Sequence, residues 1–196
     1  TILTLSATGS EMDTAGVISN PDTQDKIGRL AQPLLPKASF LDPTLTYSVS
    51  AYQTACGSAD MLSHIFEVYF NMEQDLYMLD CFMEGMMKTI IKYTPVAIAE
   101  PTNYEARANL MWTSSWAING FINGGKRKAW SCHPMEHELS AVYDITHGLG
   151  IKKHYFHGLK EILVTFHGLL YDIIDRKIEA IECFIIQFRV SAYQGT

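Results

Sequence analysis

A chain of 196 residues with 47% apolar side chains is long enough to bury a hydrophobic core, as one domain or as a small pair of domains. Its 15 basic and 21 acidic residues give a net charge of −6, which argues against nucleic acid or an anionic membrane as a partner. No apolar run approaches the ~20 residues that span a bilayer, and no signal peptide is evident. We therefore expect a cytoplasmic protein whose scattered cysteines are reduced thiols: Cys56, Cys81, Cys132 and Cys183.

The first part of the chain has short β-prone runs. The apolar runs at 2–5 and 15–19 predict a hairpin or a pair of strands at a sheet edge. A turn is expected to begin at Asn20, and residues 37–41 predict another short strand. Asp42 is expected to shape the turn that follows.

From about residue 48 onward the pattern is helical. Gly57 is expected to interrupt one helix, with Ser58 as the N-cap of the next. Residues 72–95 have apolar side chains at three- and four-residue intervals and predict a helix that ends before Pro95. The methionines of this helix are expected to pack in the core: Met78, Met83, Met86 and Met87.

Two further helical segments follow. Asn103 is a candidate cap for a helix over 104–121, and Trp112 and Trp116 would share one face of it and pack in the core. The short basic cluster at 126–128 is expected to be solvated surface. Amphipathic helical spacing returns over 160–190, without indicating how this segment packs.

Asp60, His64, His133 and His147 offer one carboxylate and three imidazoles, which suit a divalent transition metal such as Fe²⁺ or Zn²⁺. Residues four apart on a helix project from one face, which applies to Asp60 with His64 and to His133 with His137. A single helical histidine is more often a surface or core group than a ligand. The spacing alone therefore leaves both interpretations open.

Geometry restricts how His133 and His147 can meet. On one straight helix they would lie roughly 21 Å apart, whereas two ligands of one ion lie within about 4 Å of each other. If both bind one metal, the helix must end before His147 and the chain must turn back. Pro134 suits the first turn of that helix, which places His133 at its N-terminal edge, and the sequence at 146–150 permits the break.

Five stretches stand out in this order: TGSEM at 8–12, FLDPTLTYSVS at 40–50, GSADMLSHIFEVYF at 57–70, YEARANLMWTSSWAING at 104–120 and HPMEHELSAVYDITHGLG at 133–150. Their series resembles the iron-containing (group III) alcohol dehydrogenase family, close to its butanol dehydrogenase branch. The resemblance covers residues 1 to about 150. It implies a mainly α fold, in which a helical metal-binding domain of the dehydroquinate synthase-like, iron-alcohol-dehydrogenase type follows a short β remnant of an α/β cofactor domain.

The resemblance also assigns roles to residues. It implies metal ligation by Asp60, His64, His133 and His147, with Fe²⁺ first and Zn²⁺ next. His137 corresponds to a family histidine near the substrate. An imidazole there could relay a proton as a catalytic group, or it could hydrogen-bond a metal ligand, and both interpretations stay open.

Cofactor binding is implied for a second set of residues. The resemblance places the TGSE stretch, with a threonine slightly upstream, against the nicotinamide ribose and phosphates of NADH or NADPH. A lysine in the family lies close to the same cofactor. The corresponding residues here are Thr4, Thr8, Gly9, Ser10 and Lys26.

The sequence departs from the family in two ways. Family members are roughly twice as long and begin with a glycine-rich dinucleotide loop, and no Gly-x-Gly-x-x-Gly or Gly-Gly-Gly-Ser stretch occurs here. The match also stops near Gly150, which a truncated gene, a frameshift or a divergent tail would explain. We expect residues 1–46 to be a remnant of the dinucleotide-binding domain, 47–150 the all-helical metal-binding domain, and 151–196 a helical tail of uncertain relation to the family.

The resemblance implies an NAD(P)-linked oxidoreductase that interconverts short-chain primary alcohols and aldehydes, with a homodimer expected for a full-length member. The alternatives are a fragment that binds metal without catalysis and a misfolded product with a non-native tail. Other enzyme classes lack their motifs. Ala141 stands where a His-Glu-x-x-His protease would have its second histidine, and no Gly-x-Ser-x-Gly elbow is present.

Overall fold

A computed structural model describes residues 1–70, 76–126 and 132–151, all within one compact unit. The predicted helical spacing at 160–190 and Cys183 lie outside the described residues. Within these residues, a two-stranded antiparallel sheet precedes four helices; two short 3-10 turns lie between the sheet and the first helix, and a third lies between the last two helices. The strands are β1 (Ala15–Asn20) and β2 (Asp25–Leu30), and the helices are α1 (Ala51–Tyr69), α2 (Tyr77–Ala99), α3 (Tyr104–Ile118) and α4 (Cys132–Tyr143).

β1 pairs with β2 in a hairpin, in register from Ala15 opposite Leu30 to Asn20 opposite Asp25. The predicted turn at Asn20 is confirmed, and the Oδ1 atom of Asn20 accepts a hydrogen bond from the backbone N–H of Asp22. The predicted pairing of residues 2–5 with 15–19 is wrong, because the turn brings the next strand alongside β1 first. The predicted strand at 37–41 is reduced to a single parallel bridge from Phe40 to Ile2.

α1 begins at the N-cap Ser50, whose Oγ accepts a hydrogen bond from the backbone N–H of Gln53. The predicted interruption at Gly57 is wrong, because the helix continues without a break to Tyr69. Ser58 does not cap a helix; its hydroxyl donates to the carbonyl of Thr54 one turn earlier. Gly57 instead permits a close approach, since a Cβ there would lie 2.4 Å from the carbonyl oxygen of Ser6.

α2 contains Pro95 within its last turns, so the predicted end before that proline is wrong. A proline removes one helical hydrogen bond, and other parts of the fold must hold the turns around it. The hydroxyl of Thr94 donates to the Ser58 hydroxyl on α1 at 2.8 Å. From α3, Arg107 donates to the carbonyl oxygen of Ala97 at 3.2 Å.

The core lies where α1 packs against α2 and α3. Met83, Met86 and Met87 are buried as predicted, whereas Met78 is 74% exposed in the first turn of α2. The side chains with essentially no exposure include Met61, Leu62, Ile65, Met83, Ile90 and Met111. Within the described segments, no helix combines the length and the apolar character needed to cross a membrane.

Two predictions about side-chain exposure need correction. Trp112 is 54% exposed and Trp116 is half-buried, and the two rings meet edge to face with centroids 5.6 Å apart, outside the fully buried core. Lys126 is buried rather than solvated, because its ammonium pairs with the Oδ1 atom of Asp80 at 2.8 Å and lies over the ring of Tyr69. Cys56 is buried, Cys81 is exposed and Cys132 is partly exposed.

Two turns that flank the helices form as expected. The carboxylate of Asp42 accepts hydrogen bonds from the backbone N–H and the hydroxyl of Thr44 and so shapes the turn at Pro43–Thr46. Asn103 caps α3, with its Oδ1 atom accepting from the backbone N–H of Ala106 at 3.0 Å.

Arg107 is expected to be essential for stability, because its buried guanidinium donates to the carbonyl oxygens of Pro101 and Ala97 and to the hydroxyl of Thr54. Arg107→Met would leave these acceptors without their donor and should lower the free energy of unfolding by about 3 kcal/mol. Urea denaturation measures the change. The exposed Lys88→Met on α2 is the control, and equal effects of the two substitutions would contradict this role for Arg107.

Candidate metal centre

Asp60 and His64 leave the same face of α1, one turn apart, and both are almost completely buried. The Nε2 atom of His64 lies 3.7 Å from the Oδ1 atom of Asp60. A carboxylate in the middle of a buried helix is costly unless charges, hydrogen bonds or a metal compensate for lost hydration. The surroundings of Asp60 therefore decide what this position can do.

His133 comes from the first turn of α4, as its position before Pro134 predicted. Its Nε2 atom lies 3.5 Å from the Oδ1 atom of Asp60. Its ring stacks on the ring of His64, with centroids 4.7 Å apart and an angle of 11° between the planes. Two imidazoles from different helices thus meet at one carboxylate oxygen.

His147 arrives after a reversal of the chain. α4 ends at Tyr143, and Asp144 adopts a left-handed conformation with φ 49° before a new helical turn starts at His147. The predicted break between the two histidines is confirmed. Gly148 lies directly against α1, since a Cβ there would come 2.2 Å from the carbonyl oxygen of Cys56. This close approach puts the Nε2 atom of His147 3.4 Å from the Oδ1 atom of Asp60.

The structure thus brings together the four side chains that the sequence singled out. Donor atoms of Asp60, His133 and His147 all lie within 4.8 Å of one another, and His64 borders the same carboxylate oxygen. Ligands at about 2 Å from a common ion would be separated by distances of this order. Three nitrogens and one oxygen form a donor set that fits Fe²⁺ or Zn²⁺.

The pKa shifts in the cluster favour the protonation state that can bind a metal at two residues: an ionised Asp60 and a neutral His64. Burial raises the pKa of the Asp60 carboxyl, but the surrounding histidines, His64 first among them, outweigh burial and hold that pKa well below its usual range. Burial lowers the pKa of His64 to about 4. Burial also lowers the pKa of His147, yet hydrogen bonds to Asp60 and Glu136 prevail and raise it to about 9. At neutral pH His147 must therefore release a proton before its Nε2 atom can bind a metal.

Two buried carboxylates that the sequence did not single out contact the Nδ1 atoms of His133 and His147, on the side of each ring away from Asp60. The Oε2 atom of Glu67 lies 3.0 Å from the Nδ1 atom of His133. The Oε2 atom of Glu136 contacts the Nδ1 atom of His147. The sequence could have indicated Glu67, because it is an acidic residue inside an apolar run and lies on the same face of α1 as Asp60.

Lys26 links the hairpin to the cluster. Its ammonium on β2 donates to the hydroxyl of Ser140 at 2.6 Å and lies 3.6 Å from the Oε2 atom of Glu136. The predicted cofactor residue Lys26 thus touches α4 beside a candidate ligand, His147. Burial raises the pKa of Glu136, but the contact with His147 and then the positive charge of Lys26 outweigh burial and keep that pKa below its usual range.

His137 borders the cluster from the next turn of α4. Its ring centroid is 5.4 Å from that of His147 and 6.5 Å from that of His133, and burial lowers its pKa. Donor atoms of Glu136, His137 and His147 also lie within 4.8 Å of one another. The ammonium of Lys26 beside Glu136 disfavours a second cation at this position.

The TGSE loop packs its glycine inward and exposes its hydroxyls. Gly9 has a left-handed φ of 62°, and a Cβ there would come 2.3 Å from the Cγ2 atom of Ile118 on α3. Thr4, Thr8 and Ser10 are exposed. Their side chains are therefore accessible, while the position of Gly9 fixes the loop against the helical core.

The family model for the C-terminal part of Fe-containing alcohol dehydrogenases matches residues 54–155, a range that includes all four candidate ligands. The chain belongs to the Fe-containing alcohol dehydrogenase family. NADH-dependent butanol dehydrogenase A of Clostridium acetobutylicum is 56% identical over 150 residues, which covers 76% of this chain and 39% of that relative. The NADPH-dependent aldehyde reductase YqhD of Escherichia coli is 39% identical over 146 residues, which covers 74% of this chain and 38% of that relative.

A solved member of the Fe-containing alcohol dehydrogenase family has the same fold. The crystal structure of NADH-dependent butanol dehydrogenase A from Thermotoga maritima matches with a TM-score of 0.74 and 43% identity. The match covers 76% of this chain and 38% of that one. It confirms the predicted helical fold of the iron-alcohol-dehydrogenase type. The chain spans about two fifths of the length of these relatives.

Gly148 offers a direct test of the close approach that positions His147. Gly148→Ala should force the segment away from Cys56 and lower the free energy of unfolding by about 1–3 kcal/mol, as overpacking does. Thermal or urea unfolding measures the effect.

The matched control is Gly85→Ala within α2, where a Cβ would meet nothing within 4 Å. This substitution should be neutral or should stabilise by up to about 1 kcal/mol, because alanine is the better helix former. A stabilising effect of Gly148→Ala similar to that of Gly85→Ala would contradict the described packing.

Proposed function

We propose that Asp60, His64, His133 and His147 bind one divalent transition metal ion, with Fe²⁺ first and Zn²⁺ next. The observation that carries the proposal is the convergence of three imidazoles from three chain segments on one buried oxygen of Asp60. The family's description as Fe-containing supports the choice of metal. Such an ion would supply Lewis-acid polarisation of a substrate oxygen.

We infer that the chain carries the metal-binding part of an NAD(P)-linked oxidoreductase acting on short-chain primary alcohols and aldehydes. The names of its relatives, a butanol dehydrogenase and an aldehyde reductase, support this substrate class and a nicotinamide cofactor. The proposed division is a cofactor-domain remnant at 1–46 and a metal domain at 47–150. Cytoplasmic location and a homodimer of the longer family member complete the proposal.

The surrounding residues have proposed roles in substrate and cofactor binding. His137 lies at the edge of the cluster, half-buried, where it can position substrate or relay a proton. The exposed hydroxyls of Thr4, Thr8 and Ser10 are available to hydrogen-bond a nicotinamide ribose or phosphate, next to the backbone of Gly9. Lys26 would lie between the cofactor and the metal centre, with its ammonium against Glu136.

A second candidate function is metal binding without catalysis by this chain alone. The 196-residue sequence has no glycine-rich dinucleotide loop, whose backbone would hold a pyrophosphate at a helix N-terminus. Purified chain loaded anaerobically with Fe²⁺ separates the two functions. Aldehyde-dependent oxidation of NADH or NADPH supports the enzyme, and bound metal without turnover supports the inert fragment.

The ligand assignment predicts different effects for two neighbouring histidines. His147→Ala should abolish stoichiometric metal uptake, because it removes a nitrogen 3.4 Å from the Asp60 carboxylate. His137→Ala should leave uptake largely intact. Equilibrium dialysis with metal analysis measures both stoichiometries, and circular dichroism checks that each variant is folded. Equal metal loss in the two variants would overturn the assignment of roles.

A further inference from the structure

Glu67 is a buried carboxylate on α1 that contacts α4 in two ways. Its Oε1 atom accepts hydrogen bonds from the backbone N–H groups of Cys132, at 2.8 Å, and His133, at 3.0 Å. Its Oε2 atom lies 3.0 Å from the Nδ1 atom of the His133 ring. The first N–H groups of a helix have no partner within the helix and form its positive end. One carboxylate therefore satisfies both the start of α4 and the ring of its first histidine.

The two nitrogens of the His133 ring face different groups. Nδ1 faces Glu67, and Nε2 faces the Oδ1 atom of Asp60 at 3.5 Å. In a neutral imidazole one nitrogen carries the proton and the other carries a lone pair. A carboxylate can only accept a hydrogen bond, so Glu67 keeps the proton on Nδ1. When an ion lies beside Asp60, Nε2 is then the ring nitrogen left to bind it.

We propose that Glu67 is a positioning residue of the metal centre, which holds His133 in the tautomer and ring orientation that present Nε2 to the ion. This inference rests on the proposed metal centre. Glu67 is not itself a ligand, because both of its oxygens are engaged by α4 on the Nδ1 side of the ring. Its effect on the metal passes through His133.

The placement of Glu67 on α1 gives this role a structural basis. It follows Asp60 by seven residues and His64 by three, so all three side chains share one helix face. α1 thus provides two candidate ligands and also orients a third on another helix. Glu136 makes a similar contact with His147, but it also pairs with Lys26, so its substitution would alter several interactions. Glu67 is the cleaner position for a test.

Glu67→Gln is the informative substitution because it retains the size of the side chain. The amide oxygen can still accept from the two backbone N–H groups of α4, which preserves the helix start. The amide NH₂ then faces Nδ1 as a donor, which requires Nδ1 to accept and moves the ring proton to Nε2. In this tautomer Nε2 has no lone pair for a metal.

The test uses the 196-residue chain and Co²⁺ as a probe, whose visible absorption reports binding. We expect Glu67→Gln to weaken Co²⁺ binding by about 10- to 100-fold, the range typical for partners of ligating histidines. Thermal unfolding of the metal-free protein should change little. The control is Glu105→Gln on α3, an exposed glutamate that accepts from Tyr93 and should leave Co²⁺ affinity unchanged.

Nitrogen-15 NMR of the His133 ring shows which ring nitrogen carries the proton, and this would not change if Glu67 only stabilised the fold. The wild-type chain loaded with Zn²⁺ should carry its proton on Nδ1, and Glu67→Gln should shift the proton toward Nε2. Unchanged Co²⁺ affinity in Glu67→Gln would overturn the proposal, as would weakened binding without a change of tautomer. A proton on Nε2 in the Zn²⁺-loaded wild-type chain would overturn it even if the variant does not fold.

The results distinguish an error in the proposed metal centre from an error in the proposed role of Glu67. A folded wild-type chain that binds neither Co²⁺ nor Zn²⁺ would show that the metal centre is wrong, and the role of Glu67 with it. If the wild-type chain binds metal and Glu67→Gln binds it equally tightly, the metal centre stands and only the role of Glu67 is refuted.

Discussion

The carboxylate of Asp60, buried in the middle of α1, is the group around which the site is organised. An ionised carboxylate without water is costly by several kcal/mol unless neighbouring charges, hydrogen bonds or a metal compensate for the lost hydration. Three imidazoles from three chain segments surround its Oδ1 atom at 3.4 to 3.7 Å. Their combined effect keeps the carboxyl ionised despite its burial. A site of this composition favours a bound cation.

Close approaches of the backbone make this convergence possible. Gly57 lets the chain near Ser6 lie on α1, and Gly148 lets the segment that carries His147 lie on the backbone of Cys56. In both places a Cβ atom would overlap a carbonyl oxygen. The left-handed residue Asp144 completes the reversal between α4 and His147. The candidate metal centre therefore depends on main-chain packing as much as on its polar side chains.

A second set of charged groups surrounds the imidazoles. Glu67 accepts a hydrogen bond from the start of α4 and contacts the His133 ring. Glu136 lies between the His147 ring and the ammonium of Lys26. Lys26 belongs to the hairpin, which packs against α4. The hairpin and the candidate metal centre are thus coupled through the contacts of Lys26.

Local sequence information was sufficient for part of this description. The four candidate ligands, the cap at Asn103 and the need for a break before His147 follow from residue type and spacing, because these depend on neighbours within one or two helical turns. The motifs also indicated the family. Sequence did not indicate that α1 continues through Gly57 or that α2 continues through Pro95.

These differences have a common physical cause. A glycine costs a helix about 1 kcal/mol and a proline about 3 kcal/mol, amounts that burial against other helices and the hydrogen bond from Arg107 can offset. The partners of Glu67 and Glu136 are likewise set by how α1, α4 and β2 pack. The sequence by itself determined which donor groups are present and their local spacing. Only the tertiary structure decided which of them meet, because contacts between residues distant in the chain depend on the packing of whole elements.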